Sequence, residues 1–194
     1  MGSETRPRLI EAARECLLVD GHANLSTRRV ADRAGVPLSQ IHYHFGGRQG
    51  LVLALLAQQN EQLLERQQLM YGADAPLWKR YEQACDYLEA DLESGFVRML
   101  QEMIAAGWTD AAIGAEVTRL LRGWFDLLEQ VVQEAADELG DLGPFTPRSL
   151  ATLVGLGFMG GESMLLLGKE WTDDVLGSLR AVGALLKSNR EDSR

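Results

Sequence analysis

Apolar residues recur every three or four positions along almost the whole chain, and nowhere do apolar and polar residues alternate as a half-buried strand requires. Such a chain is confined to an all-α fold of about nine helices, with Gly and Pro clusters setting where each helix stops. Leu9, Ala12, Ala13, Cys16 and Leu17 form the apolar face of a first helix that ends near Gly21. Ser26-Thr27 offers an N-cap to a short second helix closed by Ala34-Gly35, and a third runs over 38–45 before Gly46-Gly47. The fourth covers about 48–70, and the breakers of 71–76 follow it. A fifth carries Leu77, Tyr81, Ala84, Leu88 and Leu92, and a sixth carries Phe96, Met99, Leu100 and Met103. The long seventh runs from Ile113 through Trp124 to Ala135 and ends at Gly140. After a loop over 141–147, an eighth helix is expected over 148–167 and a ninth over 172–187, with a frayed polar tail from Ser188.

The formal net charge of −9 argues against a nucleic-acid partner only until it is divided along the chain. Residues 1–50 carry seven arginines and five acids, +2, whereas residues 51–194 carry 12 basic and 23 acidic side chains, −11. Phosphate responds to the local field, so a mildly basic head on an acidic body remains compatible with DNA. No run of about 18 uninterrupted apolar residues marks a transmembrane span. The charged N-terminus is followed by no apolar leader, so a cytoplasmic protein without a membrane partner is expected. Cys16 and Cys85 each fall within a helical apolar pattern and read as two separate buried thiols.

Residues 26–45 have the spacing of a helix-turn-helix. Val30, Ala31 and Ala34 keep the first helix small where the second must cross it, and Gly35-Val36 makes the turn. On the second helix Ile41 and Phe45 are placed to pack inward, leaving Leu38, Ser39, Gln40, His42, Tyr43 and His44 to face a groove. Gln pairs bidentately with adenine, Ser donates or accepts, and Leu meets the thymine methyl. Thr27, Tyr43 and His44 can hydrogen-bond phosphates, and Arg48 can close on the backbone from the next helix. His42 and His44 point away from one another on a helix and cannot share a metal, so no metal site is expected.

Ile10-Glu-Ala-Ala13, Ser26-Thr-Arg-Arg-Val-Ala-Asp-Arg-Ala-Gly-Val36, Ile41-His-Tyr-His-Phe45, Gly46-Gly-Arg48 and Leu51 together resemble the tetracycline-repressor (TetR/AcrR) family of transcriptional regulators. The resemblance implies a DNA-binding head over 1–50, the fourth helix as connector, and a ligand-binding and dimerisation bundle over 51–194. It places Thr27, Tyr43, His44 and Arg48 on phosphates, and Leu38, Ser39 and Gln40 on base edges. Pro37 stands where a capping Ser is common, His42 where Tyr is usual, and Arg48 where Lys is usual.

The body is rich in large apolar side chains. Trp78, Trp108, Trp124, Trp171, Met99, Met103 and Phe158 are candidates to line an adaptable cavity for a small-molecule effector. Gln101, Glu102, Asp126 and Glu162 interrupt the apolar pattern and can orient a ligand. The ligand set read here is Trp78, Met99, Glu102, Met103, Trp124, Phe158 and Glu162. The glycine-rich eighth helix and the stripe Val175, Leu176, Leu179, Val182 and Leu186 suit either core packing or a two-fold interface. The resemblance favours a homodimer through about 148–187, bound to a palindromic operator in double-stranded DNA and released by an effector. No cofactor is implied, and no nucleophile–base constellation suggests an enzyme. A DNA-binding activator is the nearest alternative, and a helical protein-interaction module the next.

Overall fold

The computed structural model describes residues 4–139 and 142–192. Among the described residues the chain forms nine α-helices and no strand. They are α1 (Thr5–Asp20), α2 (Thr27–Ala34), α3 (Ser39–Phe45), α4 (Arg48–Tyr71), α5 (Leu77–Glu93), α6 (Phe96–Gly107), α7 (Ala111–Leu139), α8 (Pro147–Leu167) and α9 (Thr172–Asp192). A single 3-10 turn, Lys169–Trp171, leads into α9. Gly140 and Asp141, read as the stop of α7 and the start of the next loop, lie outside the described residues. The tail expected to fray at Ser188 instead continues α9 to Asp192, because no Gly or Pro intervenes to break it.

Two compact units result, and they do not follow the order of the chain. One comprises Met1–Leu63 with Arg98–Leu120, and the other Leu64–Val97 with Leu121–Arg194. α4 and α7 therefore contribute residues to both. In the first unit Leu9, Ile10, Leu17, Val30, Ile41, Leu51, Leu55, Met99 and Met103 are all at most 2 % exposed. Burying each such side chain contributes about 1.5–3 kcal/mol. That burial decides the matter for α2 and α3, whose eight and seven residues are too few for a stable isolated helix.

The core of the second unit is formed by Met70, Tyr71, Tyr81, Ala84, Cys85, Leu88, Val97, Leu127, Leu128, Val131, Ala151 and Phe158. α9 packs against both α5 and α8. Both cysteines are buried and unbridged, as their apolar settings predict. Thr146 and Ser149 close a reciprocal capping box on α8, with Pro147 in its first turn. Its inner face is Ala151, Gly155, Phe158 and Gly161, while Leu153 and Leu156, each 55 % exposed, and Leu167 face outward. By length and composition α8 is apolar enough to cross a membrane, which counting uninterrupted apolar residues does not reveal because glycines and Glu162 break the run. The same composition arises when a helix gives one face to a core and the other to a protein partner.

Candidate nucleic-acid interface

The head is locked at both ends of its turn. The Ser26 backbone is extended, and its hydroxyl accepts the Arg29 N–H (3.5 Å), capping α2. At the other end Gly35 is left-handed (φ +64°), a conformation that costs other residues energy. This allows the Gly35 N–H to reach the Asp32 carbonyl and the Val36 N–H to reach the Ala31 carbonyl, the paired closure of a Schellman motif. The chain can then reverse within Val36-Pro37-Leu38 and enter α3.

α3 begins without a side-chain cap, because the capping position falls to Leu38, whose side chain has no acceptor. The Pro37 carbonyl accepts the Gln40 N–H (2.9 Å) and the Leu38 carbonyl accepts the Ile41 N–H (3.1 Å), so backbone alone winds the first turn. Ile41 is fully buried and seats the helix. Leu38 (37 % exposed), Ser39 and His42 are open to solvent, and Tyr43 is 81 % exposed. Gln40, Thr27 and His44 are half-buried, and the His44 ring lies edge-on to Tyr43 (4.9 Å). Phe45, read as an inward plug, is only half-buried, and the Arg6 guanidinium stands over its ring (5.5 Å). Gly46 ends α3 with φ +72°, and α4 then passes so close that a methyl group at Gly50 would overlap the Phe45 carbonyl oxygen.

Arg48, expected on a phosphate, also has partners within the chain. Its Nε donates to the Leu25 carbonyl (3.0 Å) and its Nη2 to the His22 carbonyl, so the half-buried guanidinium is spent on the loop between α1 and α2. Glu102 holds the same loop from α6. Its carboxylate accepts the His22 N–H (2.6 Å) and pairs with Arg98 (3.0 Å), which also donates to the Leu18 carbonyl (3.1 Å). Asp110 accepts the Gln49 side chain and caps α7 through the N–H groups of Ala112 and Ile113, and the Ile113 bond leads in holding its carboxyl below the usual range. Between these grips His22 has a buried Nε2 with no hydrogen-bond partner among the described residues. Burial, with the charge of Arg48, lowers its pKa.

The remaining arginines of the head separate into structural and available ones. Arg14, Arg29 and Arg33 are paired with Glu11, Asp20 and Glu15, and Arg8 donates to the Ala34 carbonyl. Arg28, in the first turn of α2 next to Thr27, is exposed and makes no ion pair or hydrogen bond among the described residues. It is the cation that motif reading passed over, and its only sequence sign is a place beside the capped turn.

The proposed ligand residues are divided between the two units. Met99 and Met103 are buried in the first, and Glu102 there is bonded to His22 and Arg98. In the second, Phe158 is buried with its ring 5.9 Å from Tyr81, and Trp124 is half-buried against Phe125 (5.3 Å). Trp78 lies between the ammonium groups of Lys79 (5.4 Å) and Lys187 (5.0 Å), and Glu162 is half-buried on α8. Asp126 is spent on Arg148 (2.6 Å), and Trp108 is 81 % exposed, so neither fits a lining role.

Residues 9–55 match the family model described as "Bacterial regulatory proteins, tetR family". No curated protein matches the chain. Among solved structures, the transcriptional regulator FadR of Bacillus subtilis in complex with stearoyl-CoA is similar (TM-score 0.76, 14 % identity, 94 % of this chain and 98 % of that one). A protein of Saccharomonospora viridis described as a transcriptional regulator, in complex with choline, is similar too (TM-score 0.78, 19 %, 92 % and 95 %). So is a TetR transcription regulator of Haloarcula marismortui (TM-score 0.75, 19 %, 95 % and 96 %). At these identities the likeness establishes the fold.

Proposed function

Since the head of this chain is a tetR-family domain and the whole has the fold of TetR-family transcriptional regulators, we propose that it is a homodimeric, effector-responsive transcriptional repressor that binds DNA sequence-specifically. The observation that carries the reading is the outer face of α3. Leu38, Ser39, His42 and Tyr43 are presented to solvent on a helix seated by Ile41, with fixed turns before and after it. Leu38, Ser39 and Gln40 read base edges in the major groove, while Thr27, Tyr43, His44 and Arg28 contact phosphates. Arg48 contributes indirectly, by holding the 21–25 loop against which the head is built.

Two copies meet through the outward faces of α8 and α9, where Leu153, Leu156, Leu167, Val182 and Leu185 are exposed and a side chain on Gly157 or Gly160 would meet nothing. The recognition helices then enter successive major grooves of a palindrome, about 34–36 Å apart. A small effector held in the second unit favours the dimer pose with the wrong spacing, and release follows from its differential affinity for the two poses. The FadR and Saccharomonospora viridis structures carry ligands, which supports an effector-binding role for the like-folded body. Selection of bound sequences from random duplex DNA tests the reading. A palindrome whose half-sites lie one helical turn apart is expected, and recovery of no preferred sequence would sink it.

A further inference from the structure

The second unit buries polar groups that carry no charge. Gln67, in the part of α4 that belongs to this unit, is 8 % exposed, and its Oε1 is buried without a hydrogen-bond partner among the described residues. Leaving such an acceptor unsatisfied costs a protein stability, so a group that remains so calls for an explanation, and a molecule bound against it is one. One helical turn further along α4 stands Tyr71, and α5 brings Tyr81 and Cys85 close enough for each to influence the ionisation of the next. Burial is the main cause in all three, pushing both phenols above their ordinary range and the Cys85 thiol up to about 11. All three are therefore neutral at pH 7.

Several charged side chains of this unit, by contrast, are matched with one another. Arg66 meets Asp91 and stacks on Tyr87, Arg148 meets Asp126 and Glu129, and Arg180 meets Asp86 and Glu89. Arg80 donates to the Tyr71 carbonyl and approaches Glu134. A ligand that meets the Gln67 Oε1 inside this unit, one helical turn from the neutral Tyr71, would give up its hydration to a buried, uncharged acceptor. An ion would lose far more than it regained, whereas a neutral molecule would lose little.

We propose that Gln67 is the hydrogen-bonding residue of the effector site, and that the site takes an uncharged, largely apolar molecule bearing one donor, such as a hydroxyl or an amide N–H. This rests on the reading that the second unit holds the effector. It sets this chain apart from relatives whose structures hold the cation choline or the acidic thioester stearoyl-CoA.

Three size-matched probes test it on the full chain: 2-naphthylmethanol (neutral donor), 2-naphthoate (anion) and 2-naphthylmethylammonium (cation). Binding is read by calorimetry and by release of a selected operator duplex. The alcohol should bind and release DNA, with the two ions at least tenfold weaker. Gln67→Leu should lose at least tenfold in affinity for the alcohol while melting no lower than the parent chain, because it removes an unsatisfied acceptor. Gln67→Met, closer in shape, should behave in the same way and guards against a packing artefact of Leu. Equal binding of the alcohol by parent and variants, or tighter binding of either ion, would overturn the proposal while leaving the effector reading intact. If no probe binds and none releases DNA, the effector reading of this unit falls, and the role of Gln67 falls with it.

Discussion

Arg28 and Arg48 carry the same guanidinium but have opposite employment, and only their surroundings distinguish them. Arg48 is bound to two carbonyl groups of the 21–25 loop, whereas Arg28 has no internal partner among the described residues. Arg28→Ala should therefore weaken DNA binding across all sequences and reduce the slope of log affinity against log salt by about 1, with the melting temperature unchanged. Arg48→Ala should lower the melting temperature, since it removes charge-assisted bonds that contribute about 2 kcal/mol. An unchanged salt slope for Arg28→Ala would argue against its phosphate contact. His22 supplies a test by pH. Its pKa is depressed in the folded head from the ordinary 6.5, so the unfolded chain takes up a proton that the folded head resists. Stability from this source is complete above pH 6.5 and is lost as pH falls through the lower folded value. Thermal melts between pH 7.5 and 5 should show a steeper loss for the parent chain than for His22→Gln, and parallel curves would refute the assignment.

At the level of elements, the junction of α3 with α4 is set by close approach rather than by propensity. The first turn of α4 leaves no room for a side chain at Gly50 beside the Phe45 carbonyl. Gly50→Ala would ordinarily strengthen a helix by roughly 1 kcal/mol. Here the overlap should dominate, for a net loss of about 1–3 kcal/mol and weaker operator binding. A variant that melts higher than the parent would show that α4 moves aside at little cost. The boundaries of these elements were legible in the sequence because their stops are local chemistry. Ser26, Gly35 and Gly46 each act on backbone within a few residues. Phe45 was misjudged for the complementary reason: helical spacing assigns a face, but what covers that face comes from Arg6 and from chain distant in sequence.

For the molecule as a whole, the proposed two-fold face of α8 and α9 is the surface most open to a decisive test. Leu156→Glu puts a charge among Leu153, Gly157 and Gly160 while leaving the buried row Ala151, Gly155, Phe158 and Gly161 untouched. Sedimentation should then show monomers with unaltered helicity, and operator affinity should fall by at least a hundredfold as the second half-site contact is lost. A dimer that persists would place the interface elsewhere. By itself the sequence determined the all-α class, the order of the helices and the helix-turn-helix spacing of the head. Those depend on period, caps and breakers, which act over one or two turns. Only the tertiary structure decided that Arg48 and Glu102 brace a loop, that Arg28 is exposed and that the Gln67 Oε1 is buried without a hydrogen-bond partner among the described residues. Such roles depend on what stands within about 3 Å of each group, and packing supplies that from residues as far apart as His22 and Glu102.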